Sequence, residues 1–265
     1  MDMIVTICNT GYAGLLGPWL LAIRGLTKLP ISVLCLNGFT PNSSLDCQTI
    51  EVSASGNPFP SDLPDHACAE KLRLFEHLPE ADRVLFLDLD VLVLRNFWDQ
   101  NPFFNLCEGS MVIVPDLFVG YKEKMEEEFR PYDPEFRMRR TSDGGYHYFN
   151  TGVFFASRNS HANWFHHFLI VWRDYIAVTG NRPSIFDQNM INYCLTRYQL
   201  PVTTMPTTHN CLRQYEKQTV SAGKLWLNGQ EVCAYHFNGG DGIKKLERWQ
   251  SMLAELVVNN GSAES

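Results

Sequence analysis

The stretch Val84-Leu85-Phe86-Leu87-Asp88-Leu89-Asp90-Val91-Leu92-Val93-Leu94 decides how this chain is read. Four apolar residues lead into two carboxylates with one residue between them, and an apolar run follows. A buried strand has no use for two aspartates at its middle, because desolvating a lone carboxylate is very costly. The pair therefore belongs where the strand ends, facing a cation or a phosphate. Strand residues two apart share a face, so both carboxylates reach one ion if the turn keeps that geometry. Hard oxygen ligands of this kind suit magnesium or manganese, and a bound nucleotide would complete the coordination. The plainer alternative is a strand end capped by two solvated acids.

Around this stretch the chain is long enough, at 265 residues, for one large α/β domain or, less simply, two small ones. With 45% hydrophobic and 19% charged residues it is ordinary globular protein. A net charge of -7 argues against a nucleic-acid partner, which needs a basic surface, and no basic tail offers itself to an acidic membrane. Met3 to Cys8 reads as a strand with no charged leader ahead of it, and no segment has the length of a membrane span. Eight cysteines are scattered without a Cys-x-x-Cys pair, as reduced thiols of a cytoplasmic protein would be. Two glycosylation tripeptides, at Asn42 and Asn260, carry little weight without an export signal.

Upstream, Ile4–Cys8 is a strand, Gly14–Leu26 a helix and Ile31–Leu36 a strand, with Ile50–Val52 a further candidate. This is a βαβ opening, and parallel sheets bind ligands beyond the C-terminal ends of their strands, where Asn9 to Tyr12 lie. A Pro-rich loop from Pro58 to Pro64 precedes a helix over Cys68–Leu78. Downstream, Met111–Pro115 is a strand ending at Asp116. Lys122 to Arg140, dense in both charges and interrupted by Pro131 and Pro134, reads as a charged surface insertion. Tyr148–Ala156 returns to the core. His161–Ala177 and Asp187–Leu195 are helices, Glu231–Phe237 is a late strand, and Leu246, Trp249, Leu253, Leu256 and Val257 make a terminal amphipathic helix over 246–258. His166 and His167 are surface or packing residues of the first of these helices.

His236 closes the late strand, and the glycines after it let backbone approach a ligand closely. Lys244 and Lys245 follow with charge that suits a phosphate. Two aspartates, a histidine, a glycine turn and a lysine make a site for a metal-bound diphosphate, whose departure a cation assists.

In chain order, Lys71-Leu72, Leu87-Asp88-Leu89-Asp90, Phe149-Asn150-Thr151-Gly152-Val153, Asp187-Gln188 and His236-Phe237-Asn238-Gly239 resemble the motifs of glycosyltransferase family 8. That is the family of glycogenin and the bacterial lipopolysaccharide α-galactosyltransferases. The Asp-x-Asp core alone is a weak signal, whereas five motifs in the family's order, from Val5 to about Lys245, are a strong one. The resemblance implies a single GT-A (Rossmann-like) domain over residues 1–265, with a mixed central sheet flanked by helices. It also implies a UDP-sugar donor, Mn²⁺ with Mg²⁺ as substitute, and transfer of a hexose with retention of configuration. By the same resemblance Asp88, Asp90 and His236 are the metal ligands, and Asp187 and Gln188 flank the anomeric carbon as catalytic residues. Tyr12 stacks on the uracil in a pocket with Cys8, Asn9 and Thr10. Lys71, Asp88, Leu89, Asn150, Thr151, Gly152 and Gly239 complete the donor and acceptor contacts. The family's C-terminal motif reads His-Phe-x-Gly-x-x-Lys, and here Gly242 stands in the lysine's place. A two-residue insertion would restore the diphosphate contact through Lys244.

A haloacid-dehalogenase-like phosphatase also carries Asp-x-Asp after an apolar strand, but on the first strand of its domain. Here nearly ninety residues of α/β pattern come first. A nucleotide-sugar binder without turnover is the third reading, against which both aspartates, His236 and Asp187-Gln188 weigh. No signature names the acceptor, which could be a glycan, a lipid-linked sugar, a small molecule or a protein side chain.

Overall fold

Runs of isoleucine, valine and leucine covered on both faces make the strands of a buried parallel sheet. In β1 (Asp2–Cys8) all but the first residue are buried, as are all of β2 (Ile31–Leu36). The computed structural model describes residues 1–52, 69–99, 101–117, 119–142, 144–181, 183–184, 186–238 and 242–261. Among them, β1, β2, β3 (Gln48–Val52) and β4 (Arg83–Leu87) run parallel. Beyond β4 lie β6 (Met111–Pro115), β7 (Phe149–Ser157) and the short β8 (Val202–Thr204), giving a seven-stranded sheet of order β3-β2-β1-β4-β7-β6-β8. β7 is antiparallel to both neighbours, so the central sheet is mixed, as expected.

Successive side chains of a strand point to opposite faces, and the core divides accordingly. Met3, Val5, Val84, Phe86 and Phe154 pack on one face with Phe168 and Trp172 of a long helix, α5 (Arg158–Thr179). Ile4, Cys8, Leu85, Leu87 and Phe155 pack on the other with Leu16, Trp19 and Leu20 of α1 (Ala13–Arg24). That second face is closed by a small sheet of β5 (Val91–Val93), β13 (Ala234–His236) and β9 (Cys211–Leu212), and by a meander of β10 (Gln218–Ser221), β11 (Lys224–Leu227) and β12 (Gln230–Glu231).

Several elements differ from expectation. The Cys68–Leu78 helix is broken: Ala69 and Glu70 are helical, a turn follows at Lys71, and α2 spans only Leu74–His77. The late strand is split, with Gln230–Glu231 in the meander and Ala234–His236 in the small sheet. The charged segment 122–140 is not a solvated excursion. It begins within α4 (Val119–Phe129) and sends Met125, Phe129, Phe136 and Met138 into the core. Its charges mask four buried anchors, of which Phe129 meets Tyr175 of α5 and stacks on Tyr193 of α6 (Phe186–Arg197) with ring centroids 4.5 Å apart. A short helix, α3 (Phe103–Leu106), and the meander are additions. The terminal helix is present as α7 (Gly242–Gly261), with Trp249 buried. The Pro58–Pro64 loop and Cys68 lie outside the described residues. The other seven cysteines are free thiols, six of them buried. Among the described residues no helix is long and apolar enough to cross a membrane.

Candidate active site

β4 ends at Leu87, and the chain turns there because Asp88 and Asp90 cannot continue into the core. The Asp88 amide donates to the Gly152 carbonyl at 2.8 Å, and the Val91 amide closes the turn on the Asp88 carbonyl at 3.0 Å. β5 then leaves the main sheet and pairs with β13, setting His236 opposite Val91. The Phe237 amide donates to the Asp90 carbonyl at 2.9 Å. This pairing brings one ligand atom from each of Asp88, Asp90 and His236 within 4.8 Å of the others. The proximity depends on Gly152 in β7, because a Cβ there would collide with the His236 ring.

Lys71 ties this group to a second acid. Its Nζ lies 3.0 Å from Oδ1 of Asp88 and 2.9 Å from Oδ2 of Asp187, which sits in the first turn of α6. Thr151 Oγ1 donates to the same Asp187 oxygen at 2.8 Å. Burial opposes the charge on Asp187, but Lys71 and the Thr151 hydroxyl overcome it and hold the carboxyl below its usual range. Asp88 goes the other way: burial raises its pKa against the pull of Lys71, and the neighbouring Asp90 carboxylate adds to the rise. The turn that breaks the expected helix at Lys71 is what aims it here, and His161 Nε2 donates to the Lys71 carbonyl at 3.0 Å.

Of the two lysines after the glycine turn, the neighbour of Lys244 is the one that reaches Asp90. Lys244 is exposed, whereas Lys245 is 4% exposed and places Nζ 2.5 Å from Asp90 Oδ2 and 3.1 Å from the Tyr12 hydroxyl. On α7, Lys245, Trp249 and Met252 follow the i, i+4, i+7 spacing of one helix face. That face packs inward, and Lys244 lies a hundred degrees away from it. Burial opposes the charge on Lys245, while Asp90 overcomes it and raises the pKa. The same ammonium sits 4.8 Å from the centroid of the Tyr12 ring.

In the first loop, Asn9 Oδ1 accepts from the Tyr12 amide at 3.2 Å, so Asn9 caps the turn that presents Tyr12. Thr10 is exposed beside it. Cys8 is buried with its thiol pushed up to about 12, chiefly by burial and then by Cys35, so it acts here as packing. Leu89 points into the core, leaving only its backbone to meet a ligand. Gly239 lies outside the described residues.

Two residues of the site were not expected there: Asn210, which carries no signal in the sequence, and Asp116, marked only as the end of a strand. Asn210 stands just before β9, the neighbour of β13, and its Oδ1 lies 3.0 Å from His236 Nδ1. Its Nδ2 donates to Asn150 Oδ1 at 2.7 Å, and Asn150 Nδ2 donates to Gln188 Oε1 at 3.1 Å. Gln188 Nε2 donates to Asp116 Oδ2 at 3.0 Å. All five side chains are buried. With Nδ1–H facing Asn210, Nε2 of His236 looks at Asp90 Oδ1 across 3.2 Å. Two acceptors face each other there unless a second proton or a cation lies between them. Three carboxylates (Asp88, Asp90, Asp187) meet two ammoniums (Lys71, Lys245). The donor set therefore suits a hard or borderline divalent cation, and the charge balance leaves room for one.

The chain has relatives among known proteins. Residues 65–239 match the family model for glycosyl transferase family 8. No curated protein sequence matches the chain. Among solved structures, the galactosyltransferase LgtC in complex with donor and acceptor sugar analogs is similar in fold. Its TM-score is 0.58 at 19% identity, over 96% of this chain and 95% of that one. Mouse xyloside xylosyltransferase 1, in its apo form, gives a TM-score of 0.57 at 14% identity, over 90% of this chain and 98% of that one. The fold shared with them is GT-A. The phosphatase reading falls with the family match, which spans the Asp88–Asp90 turn, Asp187 and His236. The chain belongs to glycosyltransferase family 8.

Proposed function

We propose that this glycosyltransferase moves a hexose from a UDP-sugar to an acceptor hydroxyl with retention of configuration, using Mn²⁺ or Mg²⁺. The observation that carries the reading is one buried constellation in which Lys71 joins the Asp88–Asp90–His236 group to Asp187. A divalent cation held by Asp88, Asp90 and His236 would supply Lewis-acid stabilisation of the charge that develops on the departing diphosphate. Lys245, from the other side of Asp90, is placed to add its charge to the same leaving group. Tyr12 offers a flat face to the base, at roughly 1–3 kcal/mol for a stacked base.

Retention requires either a double displacement or attack on the face the diphosphate leaves. Asp187 is the carboxylate of the matched motifs left over for the sugar once the cation takes Asp88 and Asp90. Lys71 and Thr151 already hold two donors against its Oδ2. Such a carboxylate is a better electrostatic partner for a cationic sugar than a nucleophile. We therefore favour same-face attack, with Asp187 and the amide of Gln188 stabilising the developing positive charge. Free thiols without a disulfide among the described residues fit a reducing compartment such as the cytoplasm.

Incubating the protein with a panel of UDP-sugars and measuring released UDP tests this reading. Release should require divalent metal, with Mn²⁺ better than Mg²⁺, and should stop in excess chelator. Asp187→Asn should keep UDP affinity and lose about a hundredfold or more of turnover, the scale of removing one preorganised charge-stabilising group. UDP bound with no release from any donor would favour the binder without turnover. A sugar ester trapped on Asp187 would replace same-face attack with double displacement.

A further inference from the structure

We propose that Asn210 and Asp116 are positioning residues that lock the tautomer of His236 and the amide orientation of Gln188 to one another. The proposal builds on the transferase reading for the roles of His236 and Gln188, and its physical content is the polarity of the hydrogen-bond relay between them.

That polarity is forced from two independent anchors. A backbone N–H can only donate, and the Gly152 amide points at Asn150 Oδ1 at 2.9 Å. Asn150 is thereby fixed with its oxygen toward Gly152 and Asn210, and its Nδ2 toward Gln188. At the far end a carboxylate can only accept, so Asp116 fixes Gln188 with Nε2 toward it and Oε1 toward Asn150. The two anchors agree on the Asn150–Gln188 bond that joins them. With Asn150 Oδ1 an acceptor, Asn210 must turn its Nδ2 to it and its Oδ1 to His236. Nδ1 of His236 then carries the proton, and the Nε2 lone pair is left toward Asp88 and Asp90. Reversing any one amide would put two oxygens or two N–H groups face to face in a buried place, so the three amides keep one sense together.

The consequence is a coupling between the metal side and the sugar side of the site. Outer partners of a ligating histidine set its tautomer, and losing one costs about 10–100-fold in metal affinity or activity. Here the partner of the histidine is also, through Asn150, the partner of the residue proposed to face the anomeric carbon. Asp116, though its Oδ2 bonds to Gln188 and not to a metal ligand, stands at the end of the same chain.

The test reads the His236 ring by ¹⁵N NMR in the metal-free protein at alkaline pH, where no second proton remains on the ring, its signal assigned by its loss in His236→Gln. Mn²⁺ titration and UDP-sugar turnover accompany it. Wild type should show the Nδ1–H tautomer alone. Asn210→Ala removes the acceptor, so the tautomers should mix and Mn²⁺ affinity should fall about 10–100-fold. Asn210→Asp still accepts from Nδ1–H but no longer donates to Asn150. It should keep the tautomer and an Mn²⁺ affinity close to wild type while kcat falls about tenfold or more, the lower end of that range. A purely structural asparagine would not separate affinity from kcat in this way. An Nε2–H tautomer in wild type would overturn the proposal without any variant, as would wild-type tautomer and affinity in a folded Asn210→Ala. Wild-type kcat in Asn210→Asp would overturn the link to Gln188. The tautomer and affinity are read without donor, so they decide the relay even if every UDP-sugar fails and the transferase reading falls.

Discussion

A Cβ at position 152 would fall on Cε1 of His236, and would lie 2.8 Å from its Nδ1 and 3.0 Å from Asn150 Oδ1. The ring cannot swing away freely, because Nδ1 is held by Asn210 and the backbone after it by Asp90. Gly152→Ala is therefore an overpacking substitution, expected to cost about 1–3 kcal/mol of stability. The extra methyl should also displace the His236 ring from Asp88 and Asp90, so Mn²⁺ affinity should drop about tenfold or more. Urea unfolding and Mn²⁺ titration of the variant check both, and unchanged Mn²⁺ affinity would mean that His236 is not a ligand. Gly152, like Asp88, Asp90, Asp187 and His236, is legible in the sequence because each interrupts or closes an apolar run where a core residue would be the simpler choice. Asn210 is not legible. It sits among Thr207, Thr208, His209 and Cys211 with no pattern around it, and its meaning comes from the strand pairing that sets it beside His236.

At the scale of elements, sequence reading recovers what is periodic and misses what is set by partners. β1, β2, β6 and α1 lie within a few residues of their expected bounds because apolar runs and helical stripes are local signals. The split of Val84–Leu94 into two strands of different sheets was half legible: the acids mark the break, but nothing local says that β5 will pair with β13. The meander had a readable signal in Asn228-Gly229, a two-residue turn with both φ angles positive, of the kind that closes hairpins. The α4 region was misread because the charges outnumber its four buried anchors. α7 carries the most testable consequence. Trp249 is 1% exposed and packs 6.2 Å from the Phe237 ring, one turn beyond Lys245. Trp249→Ala should cost about 3–5 kcal/mol if the helix unfolds with the rest of the domain. If α7 instead frays alone, global stability should fall by less, while amide exchange in 244–253 rises sharply. In both cases Lys245 loses its hold on Asp90 and UDP affinity falls. Full UDP affinity with an exchanging α7 would remove Lys245 from donor binding.

Across the whole molecule, the two faces of the central sheet each bury a histidine that the proposed chemistry does not protonate. His161 lies edge-on to Phe75 on one face, and His209 lies edge-on to Phe97 and Phe103 on the other. Burial pushes each down to about 4, from an unfolded value near 6.5. The folded state thus stays neutral at these rings while the unfolded chain takes up protons as pH falls below about 6.5. More protons on the unfolded state means that stability rises with pH across that window. Each histidine contributes its full share above pH 6.5, loses it as pH falls, and has nothing further to lose below about pH 4. The loss is roughly 2 kcal/mol per ring at pH 5 and roughly 3 at pH 4, from 1.36 kcal/mol per unit. Asp187, held below the ordinary carboxylate value, adds to the loss only as pH falls from that ordinary value through its own lowered one, and Asp88, raised by burial, works in the opposite sense. Two rings together therefore claim a large part of a typical domain stability of about 5–15 kcal/mol, and acid unfolding should begin near pH 5. Urea midpoints from pH 7.5 down to pH 5 should fall with a slope that steepens toward about two protons below about pH 6. His209→Gln, which cannot titrate, should lower stability at pH 7.5 through lost packing but flatten the slope to about one proton. An unchanged slope in that variant would show that His209 is already protonated in the folded protein, or that it titrates alike in both states.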